Sequence, residues 1–491
     1  MTPASKDPKG RKDPKVDPAA DDVARQARWD AAAAWGRSSR LNELETTMWR
    51  SERHPEQSST IASLLLLDTS PDWDRLVAAH EWAGTVVPRS RERVMDPLVP
   101  THTPVWVPDP RFALPFHLRR LHLGARDTMA DLLELVSTLV ISPFDRSRPL
   151  WEATLIEGLE GDRAAYLLKL HHSMTDGLGA VQLLSALQSR TRRHTPKPSP
   201  AHADPAPEPT PLSLAADGIT ETVRAVPGLA RRLAGVGMRV ARDPFGTAFT
   251  GLGYAGSMRR ALSPKTDGGA PLLSGRGGGF WILGEMQCPL ADLRAAGHAA
   301  GGSVNDAYLA ALLGGVRKYH EYAGVEVEDI PITVPVSLRR DDDPLGGNKF
   351  AGAMLAAPAG VVDPAERIAI IRGLILSATN EPALDTFSAI APVVNRLPSA
   401  VGATAMKLGA RNDLAASNVP GIRETVYLAG AKVDRVIPYG PLPGVAVMSV
   451  MTSYAGTCSV GLTMDPAAVE EPELFVECLR EGFAEVLALA E

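Results

Sequence analysis

The sequence predicts an α/β protein built as two units, and three observations carry that prediction. At 491 residues the chain exceeds what one ordinary core organises. Strand-like and helix-like segments interleave in both halves, the pattern of α/β layers. Between the halves, Thr195 to Pro211 is dense in proline and has no periodicity, which reads as an extended linker. Four regions follow: a tail over 1–34, a first unit over 35–193, a linker with one basic helix over 194–278, and a second unit over 279–491.

The elements follow in chain order. Met1 to Asp22 mixes lysine and arginine with aspartate and has no apolar stretch, so it reads as a disordered tail and not as a secretory leader. The first unit holds an apolar strand Ile61 to Leu67, a helix around Asp72 to Trp82 and a helix Met129 to Leu139. Phe144 to Glu152 then leads into a strand Ala153 to Ile156. The apolar run Ala164 to Leu170 reads as a buried strand, and Leu178 to Arg190 as a helix with Val181, Leu184 and Leu187 on one face.

In the linker, Leu229, Leu233, Val236 and Val240 fall on one helical stripe, with Arg231, Arg232, Arg239 and Arg242 on the flank and opposite side. Such a helix suits a membrane interface; it equally suits a clamp between the two units. The second unit holds helices Pro289 to Ala299 and Asn305 to Tyr319, then a strand Ile330 to Val336. The glycine-rich Gly346-Gly347-Asn348, a strand Val445 to Thr452 and a closing helix Glu471 to Leu489 complete it.

Composition removes several function classes. A net charge of −6 gives no support for a nucleic-acid partner. Cys288, Cys458 and Cys478 are scattered, form no metal or CxxC spacing, and fit a reduced intracellular setting. No stretch reaches the roughly 18 uninterrupted apolar residues of a membrane span; Phe387 to Ala410 is broken by Asn395, Arg396, Pro398 and Lys407. The expected location is the cytoplasm, with attachment to a membrane or lipid droplet only from the surface.

The densest chemistry lies in His171-His172-Ser173-Met174-Thr175-Asp176-Gly177, the pattern HHxxxDG, placed in a strand-to-helix turn where loops carry function. Histidine moves a proton near neutral pH, and glycine permits a sharp turn and close approach. A histidine that only packs would fit the same turn, but it would have no need of the aspartate and glycine. There is no G-x-S-x-G, no HExxH and no GxxxxGK[ST]. Gly251-Leu252-Gly253-Tyr254-Ala255-Gly256 matches GxGxxG without the βαβ context that gives that motif meaning.

Further motifs accompany the turn: Pro149-Leu150-Trp151-Glu152, Ser303-Val304-Asn305-Asp306, Val334-Pro335-Val336-Ser337-Leu338-Arg339, Asn418-Val419-Pro420-Gly421, and Ser453-Tyr454 with Gly456. From about Phe112 onward the chain resembles the bacterial wax ester synthase/diacylglycerol acyltransferase family, within the coenzyme-A-dependent acyltransferases of the HHxxxDG type. The resemblance implies two chloramphenicol-acetyltransferase-like domains, each a mixed sheet covered by helices, with a tunnel between them. It implies His172 as general base, with His171, Asp176 and Gly177 completing the catalytic motif and Asp176 holding its architecture.

Asn305 and Asp306 are implied as supporting residues at the start of a helix. Asn305 suits its N-cap and Asp306 its first turn, so capping alone also accounts for them. Arg339 ends an apolar strand and is a candidate partner for Asp176. Two departures stand out. Leu41 to Ile61 matches loosely, with Arg50, Arg53 and His54 where the family is more apolar, and Ile422 follows Gly421 where proline is common.

The expected activity is transfer of a long-chain acyl group from acyl-coenzyme A, as substrate, to a lipid alcohol. Diacylglycerol would give triacylglycerol and a fatty alcohol a wax ester. No covalent intermediate, resident cofactor or metal is called for. Two other readings stay open: a condensation or polyketide-linked acyltransferase fed by a carrier protein, and a non-catalytic coat of lipid droplets or membranes.

Overall fold

A computed structural model describes residues 38–52, 57–99, 102–193, 210–214, 216, 269–337, 348, 350–379, 395, 412–442 and 444–490. The tail, the basic stripe 229–242, the glycine motif 251–256 and Arg339 lie outside the described residues.

Two mixed sheets form the frame. The first has the order β4 (Leu118–His122), β5 (Trp151–Leu159), β6 (Arg163–His171), β1 (Thr60–Leu67), β13 (Ala431–Tyr439), β12 (Tyr427–Leu428) and β7 (Gln188–Ser189). The second runs β10 (Phe350–Pro358), β9 (Asp329–Ser337), β11 (Asn412–Val419), β14 (Val445–Tyr454), β15 (Thr457–Met464) and β8 (Ile282–Pro289). A separate pair joins β2 (Glu92–Met95) to β3 (Val105–Pro108). Each large sheet mixes parallel and antiparallel neighbours: β4 with β5 and β11 with β9 and β14 are parallel, and the other pairings are antiparallel.

The helices α1 (Glu43–Ser51), α2 (Trp73–Val86), the one-turn α3 (Leu114–His117), α4 (Met129–Ile141) and α5 (Gly177–Leu187) belong to the N-terminal half. Those of the C-terminal half are α6 (Leu290–Ala299), α7 (Val304–Tyr322), α8 (Pro364–Thr379) and α9 (Pro472–Leu487). Among the described residues no helix is long and apolar enough to cross a membrane.

Strand β1 shows why the first sheet is covered on both faces. Its run Leu64-Leu65-Leu66-Leu67 sends alternate side chains to opposite sides. Leu65 and Leu67 cluster with Leu76 of α2 and Leu184 and Leu187 of α5. Leu64 and Leu66 cluster with Leu132, Val136 and Val140 of α4. Each such leucine contributes roughly 1.5–3 kcal/mol on burial. The α4-side cluster continues into Leu283, Ala415 and Val445 of the second sheet, so the two sheets share a core where they meet.

In the C-terminal half, α7 is buried on every side from Asp306 to Arg317 and packs the second sheet against α9. Their backbones touch, because a Cβ on Gly482 would lie 2.4 Å from the Ala311 carbonyl oxygen.

One connection runs against the simple picture of two halves in series. Residues of β12 and β13 cross back from the C-terminal half into the first sheet, where β13 pairs with β1 from Ala62↔Tyr439 to Leu67↔Val433. The cap of α7 also differs from the expectation placed on Asn305. Ser303 is the N-cap: its hydroxyl accepts the Asp306 amide, and Asp306 returns to the Ser303 amide at 2.8 Å. The reciprocal Ser–Asp pair satisfies two orphan donors, leaving Asn305 inside the first turn.

Candidate active site

Strand β6 ends at the motif and α5 starts within it. The turn between them is set by Asp176, the N-cap of α5, whose Oδ1 accepts the Gly179 amide at 2.9 Å. The His172 amide donates to the Ser59 carbonyl at 2.7 Å, fixing the backbone where the strand runs out.

Successive residues at a strand end face opposite sides, and the two histidines separate accordingly. The His171 side chain is fully buried, edge-on to Trp49 and Phe144 at centroid distances of 6.0 and 6.1 Å. Its Nδ1 accepts the Ser173 amide at 3.0 Å, so the proton sits on Nε2, 2.6 Å from Glu52 Oε2. Burial pushes the Glu52 carboxyl up, but His171, the Ser59 amide and Arg146 together hold it below the usual range.

The His172 side chain instead lines a cavity of about 100 Å³ between the two sheets. Leu168 and Leu170 of β6, Val181 and Leu184 of α5, Val436 of β13 and Met448 and Val450 of β14 make its walls apolar. Ser63, Ser417 and Thr452 supply hydroxyls to the lining. Burial lowers the His172 pKa below 6.5, against its own backbone, Asp176 and Asn348, which favour the charged ring. The ring is therefore neutral at neutral pH, the form that accepts a proton.

Asn348 and the ring's own backbone carbonyl together set which nitrogen that is. The Asn348 Oδ1 accepts the His172 Nδ1–H at 2.8 Å, and its Nδ2 donates to the His172 carbonyl at 2.6 Å. The lone pair is then on Nε2. Gly177 lines the same cavity, and a Cβ there would stand 2.7 Å from Val419 Cγ2. This glycine lets the start of α5 approach β11 of the other sheet, which closes the cavity wall.

The remaining expected residues lie elsewhere. Asp306 is buried in the α7 cap, with Arg372 of α8 at 3.5 Å, and neither it nor Asn305 lines the cavity. Sequence reasoning missed Asn348, Glu45 and Glu52 as partners of the motif. Asn348 was visible only as the end of a glycine-rich segment 176 residues away. Asn42-Glu43-Leu44-Glu45 does carry a capping-box spacing that marks the start of α1.

Residues 41–308 match the wax ester synthase/diacylglycerol acyltransferase catalytic domain, and residues 346–486 match the C-terminal domain of the same enzymes. The match starts at residue 41, so it takes in α1, ahead of the Phe112 boundary expected from motifs. A Mycobacterium tuberculosis protein, Rv2484c, named provisionally as a diacylglycerol O-acyltransferase, is 42% identical over 460 residues, covering 92% of each chain.

Among solved structures, the wax ester synthase/diacylglycerol acyltransferase of Marinobacter aquaeolei VT8 superposes with a TM-score of 0.60 at 22% identity. That match covers 92% of this chain and 99% of the other. A starter condensation domain of rhizomide synthetase, solved with C8-CoA, superposes with a TM-score of 0.54 at 14% identity over 92% and 94%. The fold is thus the condensation and acetyltransferase type, two mixed sheets covered by helices. The chain belongs to the wax ester synthase/diacylglycerol acyltransferase family.

Proposed function

We propose that the chain transfers an acyl group from acyl-coenzyme A to a lipid alcohol, with His172 as general base. The observation that carries this reading is the His172 imidazole, its Nδ1 committed to Asn348, set into an apolar cavity between the sheets. Family membership supports the substrate class, and the residues offer a way to run the reaction.

Nε2 of His172 takes the proton of the acceptor hydroxyl as that oxygen attacks the thioester carbonyl. The tetrahedral intermediate collapses, the C–S bond breaks, and the departing thiolate takes the proton back from the imidazolium. A positioned base of this kind contributes about 10²–10⁴-fold. The thioester is already activated, so a covalent acyl-enzyme is unnecessary. Apolar walls favour an alkyl chain and keep water from competing with the alcohol. The bound coenzyme A is a substrate; no resident cofactor enters the scheme.

Asp176 serves the turn, as cap of α5, and its charge supports the imidazolium that forms during attack. His171 and Gly177 serve the geometry around it. The test uses purified full chain, palmitoyl-coenzyme A and either hexadecanol or diacylglycerol, with free thiol and ester product measured together. Ester formed with one or both alcohols, and lost in His172→Ala, is the expected result. Thiol release that His172→Ala leaves unaltered would overturn the assignment.

A further inference from the structure

Both histidines of the motif are gripped from one element, helix α1, which reaches them at its two ends. At the C-terminal end, the cap residue Glu52 lies 2.6 Å from His171 Nε2. At the N-terminal end the grip passes through Asn348. The Asn42 Nδ2 donates to the Asn348 carbonyl at 3.0 Å, and the Asn348 amide donates to Glu45 Oε1 at 2.9 Å. Glu45 closes the start of α1 with its other oxygen, which accepts the Asn42 amide at 2.9 Å. Glu45 and Asn348 are 5% and 3% exposed, so water does not compete strongly for these bonds.

The orientation of the Asn348 carboxamide follows from its partners. A carbonyl oxygen only accepts, so the amide nitrogen must face the His172 carbonyl, and Oδ1 must face the ring. The other imidazole tautomer would set the Nδ1 lone pair against Oδ1, two acceptors at 2.8 Å. We infer that Asn348 and Glu45 are positioning residues that hold His172 in the Nδ1–H tautomer, with α1 as the clamp that keeps Asn348 in place.

This rests on the reading of His172 as base. Asn348 orients that base without touching substrate, and Glu45 acts one step further back. A neutral acceptor on Nδ1 fixes the tautomer without adding a charge beside the ring, in keeping with a base whose pKa stays low.

The test joins a spectroscopic readout to kinetics. In full chain labelled with ¹⁵N-histidine, the His172 signals are identified by their loss in His172→Ala. The wild type is expected to show a protonated Nδ1 and an unprotonated Nε2 above the titration of the ring. Asn348→Ala should raise the Nε2–H share above wild type, with the ring's own carbonyl holding the remainder, and lower kcat by about 10- to 100-fold, the scale of losing an orienting partner. The KM for palmitoyl-coenzyme A should stay within about twofold, since ground-state binding is untouched. Glu45→Gln should lower kcat less than Asn348→Ala does.

A wild-type ring protonated on Nε2 overturns the inference, and so does an Asn348→Ala ring that keeps its tautomer. Where Asn348→Ala fails to fold, the wild-type spectrum still tests the inference, because a ring protonated on Nε2 overturns it. Correct tautomers together with an active His172→Ala enzyme would instead remove the base reading and leave the clamp standing.

Discussion

Two turns in this molecule use the same local chemistry to different ends. At residues 171–177 a strand gives way to α5, capped by Asp176. At residues 300–306 a short turn gives way to α7, capped by Ser303 with Asp306. Both place an acidic side chain on backbone amides at a helix start, and both stand out in the sequence. The first opens onto the cavity between the sheets; the second is buried against α8, away from it. An acidic residue at a helix start therefore identifies a cap, and in the proposed reading it is placement at the end of a central strand, facing the other sheet, that makes a cap part of a site.

The largest test of that contrast is His172→Ala. Ester formation should fall by about 10²–10⁴-fold with the melting temperature nearly unchanged. The pH profile comes next. Burial favours the neutral ring, so kcat/KM should stay level as pH falls through 6.5 and decline only below it, near tenfold per pH unit. A decline already complete at pH 6.5 would place the base in a wetter setting than this cavity.

Gly177→Ala should then cost about 1–3 kcal/mol in urea unfolding, because the new methyl overlaps Val419 across the sheet junction. Its activity should fall further than its stability explains. The smallest effects separate the two caps directly. Asp176→Ala and Asp306→Ala should each cost about 0.5–2 kcal/mol, yet only the Asp176 variant should lower kcat. An Asp306→Ala enzyme with damaged turnover and intact stability would erase the distinction.

What was legible in the sequence was local. The run Ala164 to Leu170 and the stripe Val181, Leu184, Leu187 predicted β6 and α5 to within a few residues, because periodicity and a cap are written in adjacent positions. The same holds for α4, α6 and α9. The HHxxxDG turn was visible for that reason too. The partners of its histidines were not, since Asn348 and Glu45 meet through a contact 303 residues apart in the chain. Strand β13 escaped notice as well, as its pairing with β1 leaves no trace in either segment alone. At the α7 start, Asn305 drew attention from its residue type, while the actual cap, Ser303, was settled by its reach to Asp306.

The return of β13 to the first sheet also governs how this chain is made. A ribosome that has released β1 and β6 must still synthesise most of the polypeptide before Ala62 to Leu67 gain their second neighbour. Until then β1 is an unprotected edge rich in leucine, the kind of template on which nascent chains aggregate. Contacts of such long range make folding slow. Fragments cut within the proline-dense stretch 195–211 should therefore be insoluble when expressed apart and gain solubility when expressed together, as β13 from one closes the sheet of the other.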